Sequence, residues 1–293
     1  MKALNIAILA QLDSPTITQH LTPELKQRGH TVDIIDLSCV PHQDFETQPE
    51  IQALAAYDVV YYRSGLDPSE SEGRIFKLES FIEQHSSIHG VNLQFTKHPL
   101  INSKQYQLET AHINGMETPH TIPLKQTSYA ELADKFGNCF VIKPDSGTQG
   151  QNVKRIQSEQ DWDEAIEQNT EDFICQSFIP HEFEYRAQTL GNDEMSLYKR
   201  VPPKGDFRSN ISLGGTMLPI EKNHEAELTR LTAEVQKLFD FEIIAIDFMV
   251  NTEEQKFVLT EINLNPGWQN SNETVTGINF SQHTAIYFEN LCS

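Results

Sequence analysis

The sequence predicts an α/β protein: a small N-terminal parallel-sheet unit followed by a larger α+β part richer in strands. Three observations predict it. An apolar run at 4–10 (LNIAILA) precedes a helix and a second extended run, the strand–helix–strand order of a parallel sheet covered on both faces. The pattern changes near residues 97–102. From residue 172 onward extended segments dominate, closing on two apolar runs around a polar turn.

In the first unit, Ser14-Pro15 supplies a cap and a proline at the first helical position, and Gly29 ends that helix. Thr31–Asp36 and Asp58–Arg63 are the next strands. Beyond the change, Ser103–Asn114 is a short helix stopped by Gly115, and METPHTIPL is extended. Ser128–Phe136 is helical, CFVIKP and NVKRI are strands around a glycine-containing loop, and Ser158 with Asp161 starts another helix as a capping box would. DFICQSFI, EYRAQTL and EMSLYKRV are strands, and 222–239 is a long amphipathic helix. These breaks divide the chain into 1–97, 98–175 and 176–293.

The chain has 293 residues and a formal charge of -20, from 22 Lys+Arg against 42 Asp+Glu. Such a surface repels phosphate backbones and anionic membranes, so nucleic-acid and membrane partners are not expected. The four cysteines are scattered without a CxxC pair, which argues for free thiols and a reducing, cytoplasmic setting. No stretch approaches the ~18 apolar residues of a membrane span. The N-terminal apolar run reads as a buried strand and not as a signal peptide.

The most informative segment is IIAIDFMVNTEEQKFVLTEINLNPG, residues 243–267. Placing Ile246, Phe248 and Val250 on one face with Val258, Thr260 and Ile262 sets a hairpin register that opposes Asp247 to Glu261, with Asn263 two residues along the same face. Two carboxylates across a strand pair call for a cation between them. Two carboxylates and a carboxamide suit Mg²⁺ or Mn²⁺. Surface acids, or acids paired with nearby Lys and Arg, are the alternative.

Two polar stretches could hold phosphate. Lys143 ends the strand before Asp145–Gly150, where glycines let backbone N–H groups approach an anion. A hairpin turn is the alternative. The stretch Lys204–Asn210, followed by Gly214-Gly215, carries the fork of Arg208, and Arg186 and Lys199 on the preceding strands could add charge. A solvated loop is the alternative.

Taken together, VIKPDSGTQGQNV, ICQSFI, EYRAQTLG, KRVPPKGDFRSNISLGG, IAIDFMV, TEINLNPG and VTGINF resemble, in order, the ATP-grasp superfamily and within it the RimK-like ribosomal protein S6 glutamate-ligase group. The resemblance covers about residues 98–290. It implies an ATP-grasp fold behind an N-terminal pre-ATP-grasp α/β domain, and an ATP-dependent carboxylate–amine ligase working through an acyl-phosphate. It also implies Lys104 and Lys143 on the ATP phosphates, Gly147 in the phosphate loop, and Gln176, Ser177 and Phe178 in the adenine linker. Glu184 falls on the ribose acid, Arg208, Ser209 and Asn210 on the nucleotide- and intermediate-contacting loop, and Asp247, Glu261 and Asn263 on the metal ligands. Ser177 replaces the usual linker Glu, Glu184 lies closer to the linker than the family's acid, and the helix carrying Lys104 is shortened.

Arg208 and Arg186 are the expected catalytic groups, holding the carboxylate substrate or the tetrahedral intermediate. Arg63, at the carboxyl end of a parallel strand, is a further candidate. The Gly147–Gly150 loop is expected to close over ATP and exclude water. Asp247→Asn or Glu261→Gln is expected to abolish ADP release and leave the fold intact. The expected partners are an amino acid or other carboxylate and an amine acceptor, a small molecule or peptide. Homo-oligomerisation is left open. The rival functions are a non-catalytic nucleotide-binding module, or ATP-grasp chemistry of another kind (kinase or carboxylate–thiol ligase).

Overall fold

The structure, a computed structural model, describes residues 2–64, 73–125, 127–147, 150–167, 172–191 and 194–293. Strands β1 (Asn5–Leu9), β2 (Thr31–Ile35), β3 (Val59–Tyr62) and β4 (His89–Val91) form a parallel sheet in the order β2-β1-β3-β4. The strands lack polar alternation because both faces are covered: Ala7, Leu9 and Val60 enter one core cluster, and Ile6, Ile8 and Val59 another. Helices α1 (Thr22–Gln27), α2 (Pro49–Gln52) and α3 (Arg74–Gln84) complete this unit. The chain enters α1 through π-type turns at Thr16–Leu21. The expected Ser14 side-chain cap is not made: the cap position is Pro15, and Ser14 contributes its carbonyl to Ile17 N at 3.1 Å and Thr18 N at 2.9 Å. Gly29, at φ +91°, ends the helix as expected.

The middle of the chain runs α4 (Lys104–Ile113), β5 (Thr121–Pro123), α5 (Tyr129–Phe136), β6 (Phe140–Pro144), β7 (Lys154–Ile156), α6 (Glu159–Ile166) and β8 (Phe173–Ser177). Its strands form an antiparallel sheet, β5-β8-β6-β7, over a separate core of Phe140, Ile142, Trp162 and neighbours. Ser103, Ser128 and Ser158 each accept the N–H three residues on, the caps the sequence predicts. Thr148 and Gln149 of the glycine-containing loop lie outside the described residues.

The third sheet carries the site. It is built from β9 (Glu184–Thr189), β10 (Met195–Val201), β11 (Thr216–Pro219), β12 (Ala245–Val250) and β13 (Phe257–Asn263), antiparallel in the order β11-β10-β9-β12-β13. Helices α7 (Lys222–Phe239), α8 (Asn270–Thr276) and α9 (Phe280–Leu291) pack around it. One face (Tyr185, Ala187, Ile246, Phe248, Leu259, Ile262) is apolar and shares a core with α7 and the first sheet. That leaves the opposite, polar face for chemistry. Among the described residues no helix is long and apolar enough to cross a membrane.

The expected hairpin register holds at its centre and fails beyond it. Asp247 pairs with Glu261 and Ile246 with Ile262, but Phe248 pairs with Leu259, because a bulge at Thr260 inserts one residue into β13. Leu259, and not Val258 or Thr260, therefore joins the apolar face. The Thr260 hydroxyl donates to Asp247 O at 3.0 Å and pins the bulge beneath the carboxylate pair.

The last helix is tied to the first unit by one carboxylate. Arg28 donates to Glu289 through Nε (2.8 Å) and Nη2 (2.6 Å), and His30 Nε2 lies 3.0 Å from the same group. Glu289→Gln removes the closer of the two carboxylates beside Arg28 and leaves only Glu24 at 3.6 Å, and we expect a loss of about 3 kcal/mol in urea unfolding. A midpoint unchanged from the parent would contradict this.

Candidate active site

Strand pairing assembles two transverse rows on the polar face of the third sheet. Glu261, Asp247, Arg186 and Tyr198 are consecutive cross-strand partners, and Met249, Glu184 and Arg200 form the next row. Asp247 Oδ2 accepts from Arg186 Nη1 at 3.3 Å and Arg200 Nη2 at 2.9 Å, and Arg200 also reaches Glu184 at 3.1 Å. Burial works against the Arg200 charge, but Asp247 and Glu184 outweigh it and hold the guanidinium protonated. Burial pushes the Glu184 carboxyl up, against the pull of Arg200.

Above this face, β6 and the start of α4 supply two lysines. Lys104 Nζ donates to Gly147 O at 2.8 Å and stands 3.6 Å from Glu261. Asp145 accepts from Gln105 N at 2.8 Å, so the loop after β6 is fastened to the helix N-terminus. Lys143 is 9% exposed, and burial, only partly offset by Glu261, pulls its ammonium down to about 8.

Of the expected metal ligands, Asp247 and Glu261 are cross-strand partners, and Asn263 lies two residues further along β13. Asp247 partly follows the alternative reading, since Oδ2 is paired with arginines, yet its buried Oδ1 has no hydrogen-bond partner among the described residues. Among the same residues Glu261 has only the long Lys104 contact as an ion pair. Asn263 Oδ1 accepts from Asn265 N at 2.9 Å and keeps a second lone pair. Among the described residues no three acidic, His or Cys side chains gather. The set reaches three only with the carboxamide, a hard oxygen set that fits a divalent cation sharing its remaining positions with phosphate.

Two clefts meet here. One, of about 860 Å³, is lined by Lys104, Lys143, Phe178, Glu184, Asp247 and Glu261 among others. The second, of about 1130 Å³, opens at the carboxyl ends of the parallel strands, with Gln11, Arg63 and Ser64 on one side and Asn263 and Asn265 on the other. Lys104, Gly147 and Glu261 line both.

The remaining expected residues take varied positions. The Gln176 side chain donates to Thr121 Oγ1, and Ser177 is bonded through N and Oγ to His120, so both fasten β8 to the chain at β5. Phe178 lines the first cleft, stacked edgewise with Phe207. Arg208 is held by Asp206, whose carboxyl it draws down to about 2, and also donates to Gly150 O at 3.2 Å. Ser209 is buried, its carbonyl against Gly215, where a Cβ would collide with it. Asn210 lines the first cleft and packs on Gly150, which has φ +68° and no room for a Cβ. Arg186 lies beneath Asp247. Arg200, not singled out in the sequence, lines the first cleft together with Arg208. Lys199 points to the opposite face, where it pairs with Glu221.

Comparison with known proteins agrees with this geometry. A family model described as the RimK-like ATP-grasp domain matches residues 112–287. A probable alpha-L-glutamate ligase of Stenotrophomonas maltophilia (strain K279a) is 23% identical, with 98% of this chain and 99% of that protein aligned. The ATP-grasp ligase PsnB complexed with minimal precursor superposes with a TM-score of 0.71 at 14% identity, over 99% of this chain and 100% of that one. D-alanine–D-alanine ligase from Bacillus anthracis complexed with ATP gives 0.71 at 17% identity, over 99% and 97%. At these identities the structural likeness establishes the fold. With more than half its length matched by that model, the chain belongs to the RimK-like ATP-grasp family.

Proposed function

We propose that the protein is an ATP- and Mg²⁺-dependent carboxylate–amine ligase, with L-glutamate as one substrate and a small molecule or peptide as the other. One observation carries the reading. The Asp247–Glu261 pair, with an unpartnered buried Oδ1, stands under two lysines at the meeting point of two clefts. In this reading residues 1–97 form the floor of the second cleft, 98–175 the phosphate-holding lobe and 176–293 the metal lobe.

The first cleft takes ATP with its phosphates toward Lys104 and Lys143, and Phe178 beside the base. Asp247, Glu261 and Asn263 would hold Mg²⁺, which supplies charge neutralisation to the phosphates. A carboxylate oxygen from the second cleft attacks the γ-phosphorus and the bond to the ADP oxygen breaks, giving the acyl-phosphate. Lys143 and Lys104 offset the charge that develops, and Arg208 with Gly150 closes the site against water. The amine then attacks the acyl carbon, phosphate leaves and the amine loses a proton. Arg186 and Arg200 hold Asp247 in place throughout.

The test is ADP release with ATP, Mg²⁺ and paired carboxylates and amines, with mass spectrometry of products. The expected product has the mass of acid plus amine less water. ATP binding without ADP from any pair would leave a nucleotide-binding module, and a phosphorylated product formed without amine would make the protein a kinase.

Lys143 gives the reading a pH signature. Its folded value of about 8 lies below the ordinary 10.5, so the buried charge costs stability below pH 8, and that cost is relieved as pH rises from 8 to 10.5. ATP binding requires the ammonium. The ATP dissociation constant is therefore expected to rise above pH 8, by up to about tenfold per pH unit. In Lys143→Arg, which stays charged, calorimetry should find the rise flattened. Parallel profiles for parent and variant would remove Lys143 from the phosphate site.

A further inference from the structure

Arg63 is 4% exposed, yet among the described residues no carboxylate pairs with it. Its Nη1 donates to Tyr61 Oη at 3.1 Å and Nη2 to Pro266 O at 2.8 Å, while Nε is buried with no partner among the described residues. The guanidinium lies over the Tyr61 ring (5.7 Å) and the Trp268 ring (5.0 Å), which shield its faces and leave its edge for an acceptor. A desolvated cation with this geometry is matched by a planar anion.

The surroundings say where that anion belongs. Arg63 lines the second cleft only, whereas Lys104 and Glu261 line both. Those three are the charged residues of its wall among the described residues; Gln11, Ser38, Ser64, Asn102 and Asn265 contribute uncharged polar groups. Lys104 donates to the loop carbonyl of Gly147 and, in the ligase reading, serves the ATP phosphates. Arg63 is thus the cation left for a ligand away from the reacting end.

We propose that Arg63 is the specificity residue of the second cleft, anchoring a substrate carboxylate that takes no part in the reaction. The inference rests on the ligase reading, which already names L-glutamate, and adds the residue that selects its second carboxylate. Arg63 recognises the substrate. The acyl transfer itself proceeds at the meeting point of the clefts.

The experiment compares L-glutamate with its two monoamides, L-glutamine and L-isoglutamine, in calorimetric binding to the ADP-loaded protein and in ADP release. L-glutamate should bind about 10- to 100-fold more tightly than the monoamide lacking the anchored carboxylate. Arg63→Met should erase that preference through KM more than kcat, and Arg63→Lys should restore part of it by keeping the charge without the fork. The wild-type comparison decides even if Arg63→Met does not fold. Equal binding of L-glutamate and both monoamides, or a preference that survives in Arg63→Met, overturns the anchor. If other pairs still release ADP, the anchor alone falls; if none does, the ligase reading falls with it.

Discussion

Glu261→Gln is expected to lower ligation-dependent ADP release by about 10²- to 10³-fold with only a small drop in thermal midpoint. The substitution keeps the shape of the side chain and removes one unit of charge where the two clefts meet. Its side chain is 30% exposed and its ion pair is the 3.6 Å approach of Lys104, so folding gains from the charge mainly through the partial offset it gives buried Lys143. The polyphosphate gains much more, because the proposed cation loses one of two carboxylates. ADP release at saturating ATP, with a melt of the same sample, separates the two effects. Turnover at the parental rate would end the assignment of Glu261 to a metal.

Asp247→Asn should lose activity to a similar degree and, unlike Glu261→Gln, also lose about 3–5 kcal/mol of stability. The sequence alone suggests that this variant keeps its fold; the structure corrects the expectation. Asp247 is 6% exposed and joins Arg186 to Arg200, so the neutral side chain leaves buried guanidinium charge uncompensated. Arg200 retains Glu184, which places the expected loss toward the lower end. Urea unfolding gives the stability term, and activity is expressed per folded molecule. Parental stability in this variant would mean that the arginines stabilise the fold independently of Asp247.

The contrast between these carboxylates marks how far the sequence could be read. Alternation on two strands was enough to oppose Asp247 to Glu261, because a hairpin turn brings the strands together locally. The bulge at Thr260 left no trace in that alternation, since its residue is stabilised by the Asp247 carbonyl and not by its own apolar character. Arg200 was within reach. In EMSLYKRV the apolar Met195, Leu197 and Val201 share parity with Lys199, so Lys199 belongs to the packed side and Arg200 to the polar one. The Lys104 helix start was legible from the Ser103 cap; its tie to Asp145 was not.

By itself the sequence determined many of the elements, the caps at Ser103, Ser128 and Ser158 though not the one expected at Ser14, the carboxylate pair and the lysine strand opposite it, because each depends on residues a few positions apart or on one turn. Only the tertiary structure decided that Arg186 and Arg200 would grip Asp247, and that Arg63 would be buried between rings without a described carboxylate. Those outcomes depend on which faces meet when the sheets pack. Desolvation then sets the worth of each charge, and periodicity along the chain carries no information about it.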